Sequence, residues 1–299
     1  MSPAPNATLW SGCHGVRLDG APVALGVASG VPLAFATIRH GEVRPADGKC
    51  LWTQPGEAGA LWRRDDGTLV LTSPRAAALE VDPRDATITL GAGDDAVQRQ
   101  LVASFAVPLL LHGLGVLLVH GSACARGDEA VVVCADSGSG KSSVLVRLLD
   151  EGWRSISEDL CTIDLRGPRP QVWPGPPWVR VAHGEPGPSG AAVAFDSGDK
   201  RAWDVADRQT TEPTDVARLV LLEAPGTVPR CEPMTTSAAL GALARHAVWL
   251  EDPDERGRRL FEPVAQLVAS VPSVRVQMQR GEGWRDAVSE LLGSQASAT

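Results

Sequence analysis

A run of apolar residues that breaks into a small, hydroxyl-rich loop with a single lysine constrains this chain more than any other feature in it. The stretch is VVVCADSGSGKSSVL, Val131 to Leu145. It reads as a strand, a tight loop and then a helix, and it matches G-x-x-x-x-G-K-[ST] everywhere except at Ala135, where the pattern has glycine. Glycines at 138 and 140 admit left-handed backbone, so that successive N–H groups converge on phosphate oxygens. The helix that begins there adds the positive end of its dipole. Lys141 has the reach for β- and γ-phosphates, and Ser142 offers a hydroxyl to Mg²⁺. Asp136, Ser137, Gly138, Ser139, Gly140, Lys141, Ser142 and Ser143 are therefore the candidate nucleotide contacts. A glycine-serine turn without a ligand is the plainer alternative, but strand, loop, Lys-Ser pair and helix all agree with a phosphate site.

Lysine occurs only at positions 49, 141 and 200, against 25 arginines. A compact ammonium and a planar guanidinium are not equivalent at phosphate, which makes Lys141 and Lys200 worth following. Glu158 and Asp159 lie 17 and 18 residues beyond Lys141, in a stretch WRSISEDLCTIDL that reads as one strand. Adjacent carboxylates on an extended chain point to opposite faces, so one is suited to hold Mg²⁺ and the other to address a hydroxyl. His120, in LLVHGSA, reads as the end of the strand before the phosphate-loop strand, as a core histidine or as a partner of these acids.

Along the chain, residues 1–92 read as short strands between Gly, Pro and Asp clusters: GVRLDG, PVALGVA, GTLVLTS, AALEVDP and ATITLGAG. They predict a small antiparallel β-domain without a chemical constellation of its own. A helix is expected over 94–115, with Leu101, Phe105 and Leu109 in register. From Val116 the pattern changes to strand, loop, helix, strand. The strand candidates VLLVHG and EAVVVC are continuously apolar, as in sheets covered on both faces. Helix 142–151 ends at Gly152. A Pro/Gly-rich segment follows over 166–188, with WVRVA extended. Then come helices near 236–249 and 255–270, the strand SVRVQMQ and a last helix near 284–292. The expected organisation is thus an α/β fold with a β-rich domain over 1–92, a phosphate-loop domain over 93–292 and a disordered end over 293–299.

With a formal charge of −8 the chain lacks the basic stripe of a nucleic-acid binder. Its six cysteines are scattered, with no C-x-x-C pair, which is a poor framework for metal or disulfides. MSPAPNATLW lacks the basic and apolar regions of a signal peptide, and the longest apolar run, Val107 to Val119, is too short to span a bilayer. These readings predict a cytoplasmic protein with neither nucleic-acid nor membrane partners. Homo-oligomerisation is left open.

Three elements in order, His120-Gly121, Ala135 to Ser142 and Glu158-Asp159, give the chain from 119 to 164 a resemblance to the catalytic core of the HPr kinase/phosphorylase family. That family is related through its phosphate loop to ATP-dependent PEP carboxykinases. The resemblance implies a PEP-carboxykinase/HPr-kinase-like kinase core, ATP with Mg²⁺, and phosphoryl transfer to a serine hydroxyl. Lys141 and His120 would assist, Glu158 would act as base, and Asp159 with Ser142 would hold the metal; the roles of the two acids are open to exchange. Ser143 stands where the family has Glu, Glu158 where it has Asp, and the family's later glycine-rich signature is absent. A closer resemblance is to divergent HPr-kinase-related kinases encoded with peptide natural products, some of which phosphorylate lasso precursor peptides. WPGPPWVRV and DKRAWDV look like segments of that group, which makes Arg180 and Lys200 candidates for phosphate or acceptor contacts. Trp173, Trp178 and Trp203 flank them as pocket walls or as ordinary packing. A small-molecule kinase on the same scaffold, or a non-catalytic ATP-binding module, would retain the same core.

Overall fold

The computed structural model describes residues 10–279 apart from 21–24, 45–46, 54–58, 74–75, 137, 227–229 and 250–252. Ser137, the helix expected near 284–292 and the end from 293 onward lie outside the described residues.

Nine strands open the chain: β1 (Trp10–Cys13), β2 (Val16–Asp19), β3 (Val27–Ala28), β4 (Ala34–His40), β5 (Lys49–Thr53), β6 (Ala60–Arg63), β7 (Leu69–Ser73), β8 (Ala76–Asp82) and β9 (Thr87–Leu90). They form one sheet in the order β3-β1-β2-β4-β9-β8-β7-β6-β5. The expectation of an antiparallel domain needs correction, because β4 runs parallel to both of its neighbours, β2 and β9. Alternation along a strand specifies which side chains are buried, Val16 and Leu18 in β2 for instance, and is blind to the direction of the strand alongside.

Glu80 in β8 is only 8% exposed. It accepts hydrogen bonds from Arg44 Nη2 at 2.7 Å and Arg64 Nη1 at 2.9 Å. Burial pushes its carboxyl up, but the bonds and charges of Arg44 and Arg64 outweigh that and hold it below its ordinary value. A depressed carboxylate contributes stability that is present above the unfolded-state value and is lost as pH falls through the folded one. Glu80→Gln is therefore expected to cost about 2 kcal/mol at neutral pH. The gap to wild type should close as pH is lowered through the carboxylate range, read as the urea midpoint at each pH.

The next segment is helical from Asp94 on, as expected. Asp94 caps it by accepting from the Ala96 N–H at 2.8 Å. The run consists of α1 (Asp95–Leu101), a π segment (Val102–Ala106) and α2 (Val107–Gly113). The π turn takes an extra residue and shifts later positions off the 3.6 period. Leu101 and Leu109 are buried, whereas Phe105 is only half-buried. The apolar face of this helix joins the core of the nine-stranded sheet through Val102, Ala106 and Leu110.

The remaining strands are β10 (Leu117–Val119), β11 (Gly121–Arg126), β12 (Glu129–Ala135), β13 (Arg154–Ser157), β14 (Cys161–Asp164), β15 (Gln171–Trp173), β16 (Trp178–Ala182), β17 (Val193–Ser197), β18 (Lys200–Asp204), β19 (Thr214–Gly226), β20 (Arg230–Pro233) and β21 (Ser273–Gln279). The helices are α3 (Lys141–Asp150), α4 (Thr236–His246) and α5 (Pro253–Ser270). A second sheet runs β10-β14-β15-β19-β12-β11-β13, with β21 alongside β19. Strand β12, which leads into the candidate phosphate loop, pairs in parallel with β19 and antiparallel with β11.

Both faces of this sheet are covered, which is why β12 reads as an unbroken apolar run. Val132 and Cys134 point into a core with α4 and α5, while Val133 and Ala135 point into one with α3. Val144, Leu145, Leu148 and Leu149 of α3 are all buried, and Gly152 takes φ 87° just past its end. The architecture is mixed α/β. A third, three-stranded sheet, β16-β18-β17, packs against α3. No helix among the described residues is long and apolar enough to cross a membrane.

Two expectations here are corrected. GSACAR, built of small residues with no β-branched signal, forms the unexpected strand β11; His120 consequently lies at the junction of β10 and β11, and one further strand separates it in sequence from β12, with which β11 pairs through Gly121 and Cys134. The stretch WRSISEDLCTIDL is not one strand either: it breaks after Ser157 and resumes at Cys161.

Candidate functional site

At the carboxyl end of β12 the chain turns through Asp136 and enters α3 at Lys141. Gly138 and Gly140 take φ of 80° and 92°, a conformation that glycine adopts without strain. Gly140 is the N-cap of α3 and provides no side-chain cap, so the first-turn amides are left for another partner. Asp136 and Gly138 are exposed, Ser139 is buried, and Ser142 and Ser143 are half-buried. The Ser139 N–H donates to the Asp136 carbonyl at 3.2 Å.

Lys141 is 9% exposed. Its ammonium donates to the Ala135 carbonyl at 3.4 Å and lies 3.2 Å from His120 Nε2. An ammonium can only donate, so Nε2 accepts and the ring proton belongs on Nδ1, which faces Asp159 Oδ1 at 3.7 Å. Burial, reinforced by the charge of Lys141, pushes the His120 imidazole below its ordinary value and keeps it neutral. The backbone N–H of His120 is held by the His246 carbonyl at 2.7 Å.

The two carboxylates sit in the break between β13 and β14. Asp159 has φ 70°, and the Leu160 N–H donates to the Glu158 carbonyl at 2.9 Å, which makes a γ-turn of the rare, strained kind. The Gly121 N–H fastens the turn through the Asp159 carbonyl at 3.2 Å. This strain resolves the difficulty posed by an extended chain. Instead of diverging, both side chains meet Arg180 of β16, whose Nε donates to Glu158 Oε2 at 3.3 Å and whose Nη2 donates to Asp159 Oδ2 at 2.5 Å. Ser142 Oγ donates to Glu158 Oε1 at 3.3 Å and so ties the head of α3 to the turn.

Environment separates the two acids. Glu158 is 5% exposed, and burial, with a contribution from the neighbouring Asp159, raises its carboxyl against the opposing pull of Arg180. Burial pushes Asp159 the same way, but Arg180, His120, Lys200 and Lys141 together outweigh it and hold Asp159 below its ordinary value. Lys200 opens β18, and its charge is felt at Glu158, Asp159 and His120. Lys141, Ser142, His120, Glu158, Asp159, Arg180 and Lys200 thus share one neighbourhood. Among the described residues no group of three or more His, Cys, Asp or Glu forms a cage for a metal ion.

The tryptophans divide. Trp178 lines a cavity of ≈ 280 Å³ beside the carboxylates and stacks edge-on with Phe195 at 5.3 Å. Trp173 and Trp203 pack internally, the latter against Gly187, where a Cβ would come within 2.1 Å of the ring. Sequence reasoning missed His14. It lies in the nine-stranded sheet's turn between β1 and β2, is 1% exposed and lines the same cavity. The Gly15 that follows it reads only as a turn.

Arg180→Met is expected to lower stability by about 3 kcal/mol, because it strands a buried carboxylate without its partner. Arg180→Lys should recover part of that loss. Chemical denaturation of the three proteins measures both.

No family model and no curated protein matches this chain. Among solved structures, the Hpr(Ser) kinase/phosphatase from Coxiella burnetii superposes over 60% of this chain and 90% of its own, with 11% identity and a TM-score of 0.33. A likeness that loose decides neither family nor activity.

Proposed function

We propose that the protein is an ATP-dependent phosphotransferase that passes the γ-phosphoryl group to a hydroxyl, with a serine on a peptide, such as a ribosomal natural-product precursor of the lasso type, as its acceptor. One observation carries the reading: the 3.3 Å hydrogen bond from Ser142 to Glu158 brings a phosphate-loop helix and a carboxylate pair to the same point. A loop that only turned the chain would have no need of a histidine on its lysine and of two acids, bound to an arginine, reached from its serine.

In this reading the amides from 138 to 143 and the Lys141 ammonium bear on the phosphates, and Lys141 exchanges its contacts with Ala135 and His120 for phosphate oxygens. Ser142 Oγ and Glu158 Oε1 are adjacent hard oxygen donors, which suits Mg²⁺, an ion that keeps most of its shell for water and phosphate. Bound there, the ion would draw charge from the phosphate oxygens. Asp159 takes the proton of the acceptor hydroxyl as its oxygen bonds to the γ-phosphorus. The bond to the β-phosphate oxygen breaks, and ADP leaves with the electron pair. His120 Nδ1–H orients Asp159, and Arg180 keeps its charge beside both acids.

These roles invert the first expectation for the two acids. Glu158 is enclosed and bonded to Ser142, whereas the Asp159 side chain keeps 32% of its surface open and faces the cavity. With γ-³²P-ATP, Mg²⁺ and a library of serine-containing peptides, label is expected on serine, with phosphoserine identified by mass spectrometry. Absence of ATP binding by calorimetry at millimolar nucleotide would sink the reading.

A further inference from the structure

The lining of the cavity beside Asp159 falls into two unlike sets. His120, Glu158, Asp159 and Arg180 make the charged set. His14, from the nine-stranded sheet, and Gln100, Ser104 and Phe105, from α1 and the π segment, make the uncharged one. His14 reaches this place from a part of the chain more than a hundred residues before His120. A π segment at such a spot is informative, since single π turns inside α-helices gather at functional sites. Ser104 and Phe105, both within the π segment, are half-buried and line the cavity.

The second set carries no charge. Among the described residues His14 is its sole ionisable side chain, and burial pushes that imidazole down to about 4, so it is neutral at physiological pH. Arg180 is already committed to two carboxylates, and among the described residues no other Lys or Arg lines the space. The volume of ≈ 280 Å³ falls just below the usual range for drug-sized ligands, which begins at about 300 Å³. It suits a group the size of one amino-acid residue or a small polyol.

We propose that this cavity is the acceptor site, and that its uncharged lining, built by His14, Gln100 and the π segment, selects an uncharged hydroxyl-bearing group of about one residue's size. The inference rests on the phosphotransferase reading and adds to it a role for the N-terminal sheet. That sheet contributes His14 to the acceptor pocket, beside Gln100, Ser104 and Phe105 of the helical run that follows it.

The test uses the full chain with Mg²⁺ and a non-hydrolysable ATP analogue. Three hydroxyl probes are followed by saturation-transfer NMR: N-acetyl-L-serinamide for a peptide residue, glycerol for a free polyol and L-malate for a charged hydroxy acid. Wild type is expected to bind the serinamide or glycerol, the stronger of the two identifying the source, and to ignore malate. Ser104→Trp, which fills the cavity, should weaken that binding by about tenfold or more while analogue affinity stays within about twofold. Ser104→Leu, a smaller intrusion, should give an intermediate loss with an unchanged near-ultraviolet circular dichroism spectrum, which separates filling from misfolding. Preference for malate, equal probe binding by all three proteins, or no probe binding by a wild type that does bind the analogue would each overturn the proposal. A wild type that ignores the analogue would instead remove the phosphotransferase reading, and this inference with it.

Discussion

Lys141→Met is expected to reduce phosphoryl transfer by about three orders of magnitude or more, with the folded structure intact. Phosphoryl transfer offers the protein little covalent chemistry, so the rate rests on charge placed where the transition state develops it. A single preorganised donor in a site shielded from water is commonly worth a hundredfold to a thousandfold, about 3 to 4 kcal/mol. Lys141 is well placed for such an effect: only 9% exposed, at the head of α3, with its ammonium resting on a histidine and a carbonyl. Methionine keeps the length of the stem and its packing while removing the charge, so the circular dichroism melt should stay near wild type. A single-turnover assay with γ-³²P-ATP reads the rate. Transfer at the wild-type rate would mean that the loop does not hold the reacting phosphate.

Asp159→Asn should lower kcat by about a thousandfold, within the usual span for loss of a positioned general base, while nucleotide affinity changes little. Glu158→Gln should act differently, weakening the Mg²⁺ dependence of nucleotide binding because it removes an anionic oxygen beside Ser142. The pH profile separates the two acids further. A base must be ionised to work, so the acid limb of kcat/KM follows the group that serves. Asp159 is held below the ordinary aspartate value, and with it as base activity should persist down to that range before falling. Glu158 is raised above the ordinary glutamate value, and with it as base activity would be lost earlier as pH falls. An acid limb above the usual carboxylate range, together with a Glu158→Gln variant that loses turnover without losing metal dependence, would return the base to Glu158.

How much of this was legible beforehand differs from element to element. β12, the loop and α3 were readable because three local signals coincide there: an apolar run, glycines at positive φ and an amphipathic helix whose Val144, Leu145, Leu148 and Leu149 are all buried. The helix after Asp94 was readable from its cap, but its π segment was not, since an extra residue within a turn leaves no mark on composition. The carboxylate pair was recognisable as chemistry and misjudged as geometry. Alternation treats SISEDLCTI as extended, whereas the turn at Asp159 is imposed by the Gly121 amide and by Arg180, both distant along the chain.

The same division holds for the whole protein. Sequence by itself determined the strand, loop and helix around Lys141 and which residues of β12 and α3 would make the core faces, because backbone freedom and hydrophobic period act within a few residues. Tertiary structure decided which acid lies against Ser142 and which stays open, that β4 runs parallel to β2 and β9, and that His14 walls the same cavity as Asp159. Those outcomes depend on burial and on charges brought together from far along the chain, and burial is a property that no local window contains.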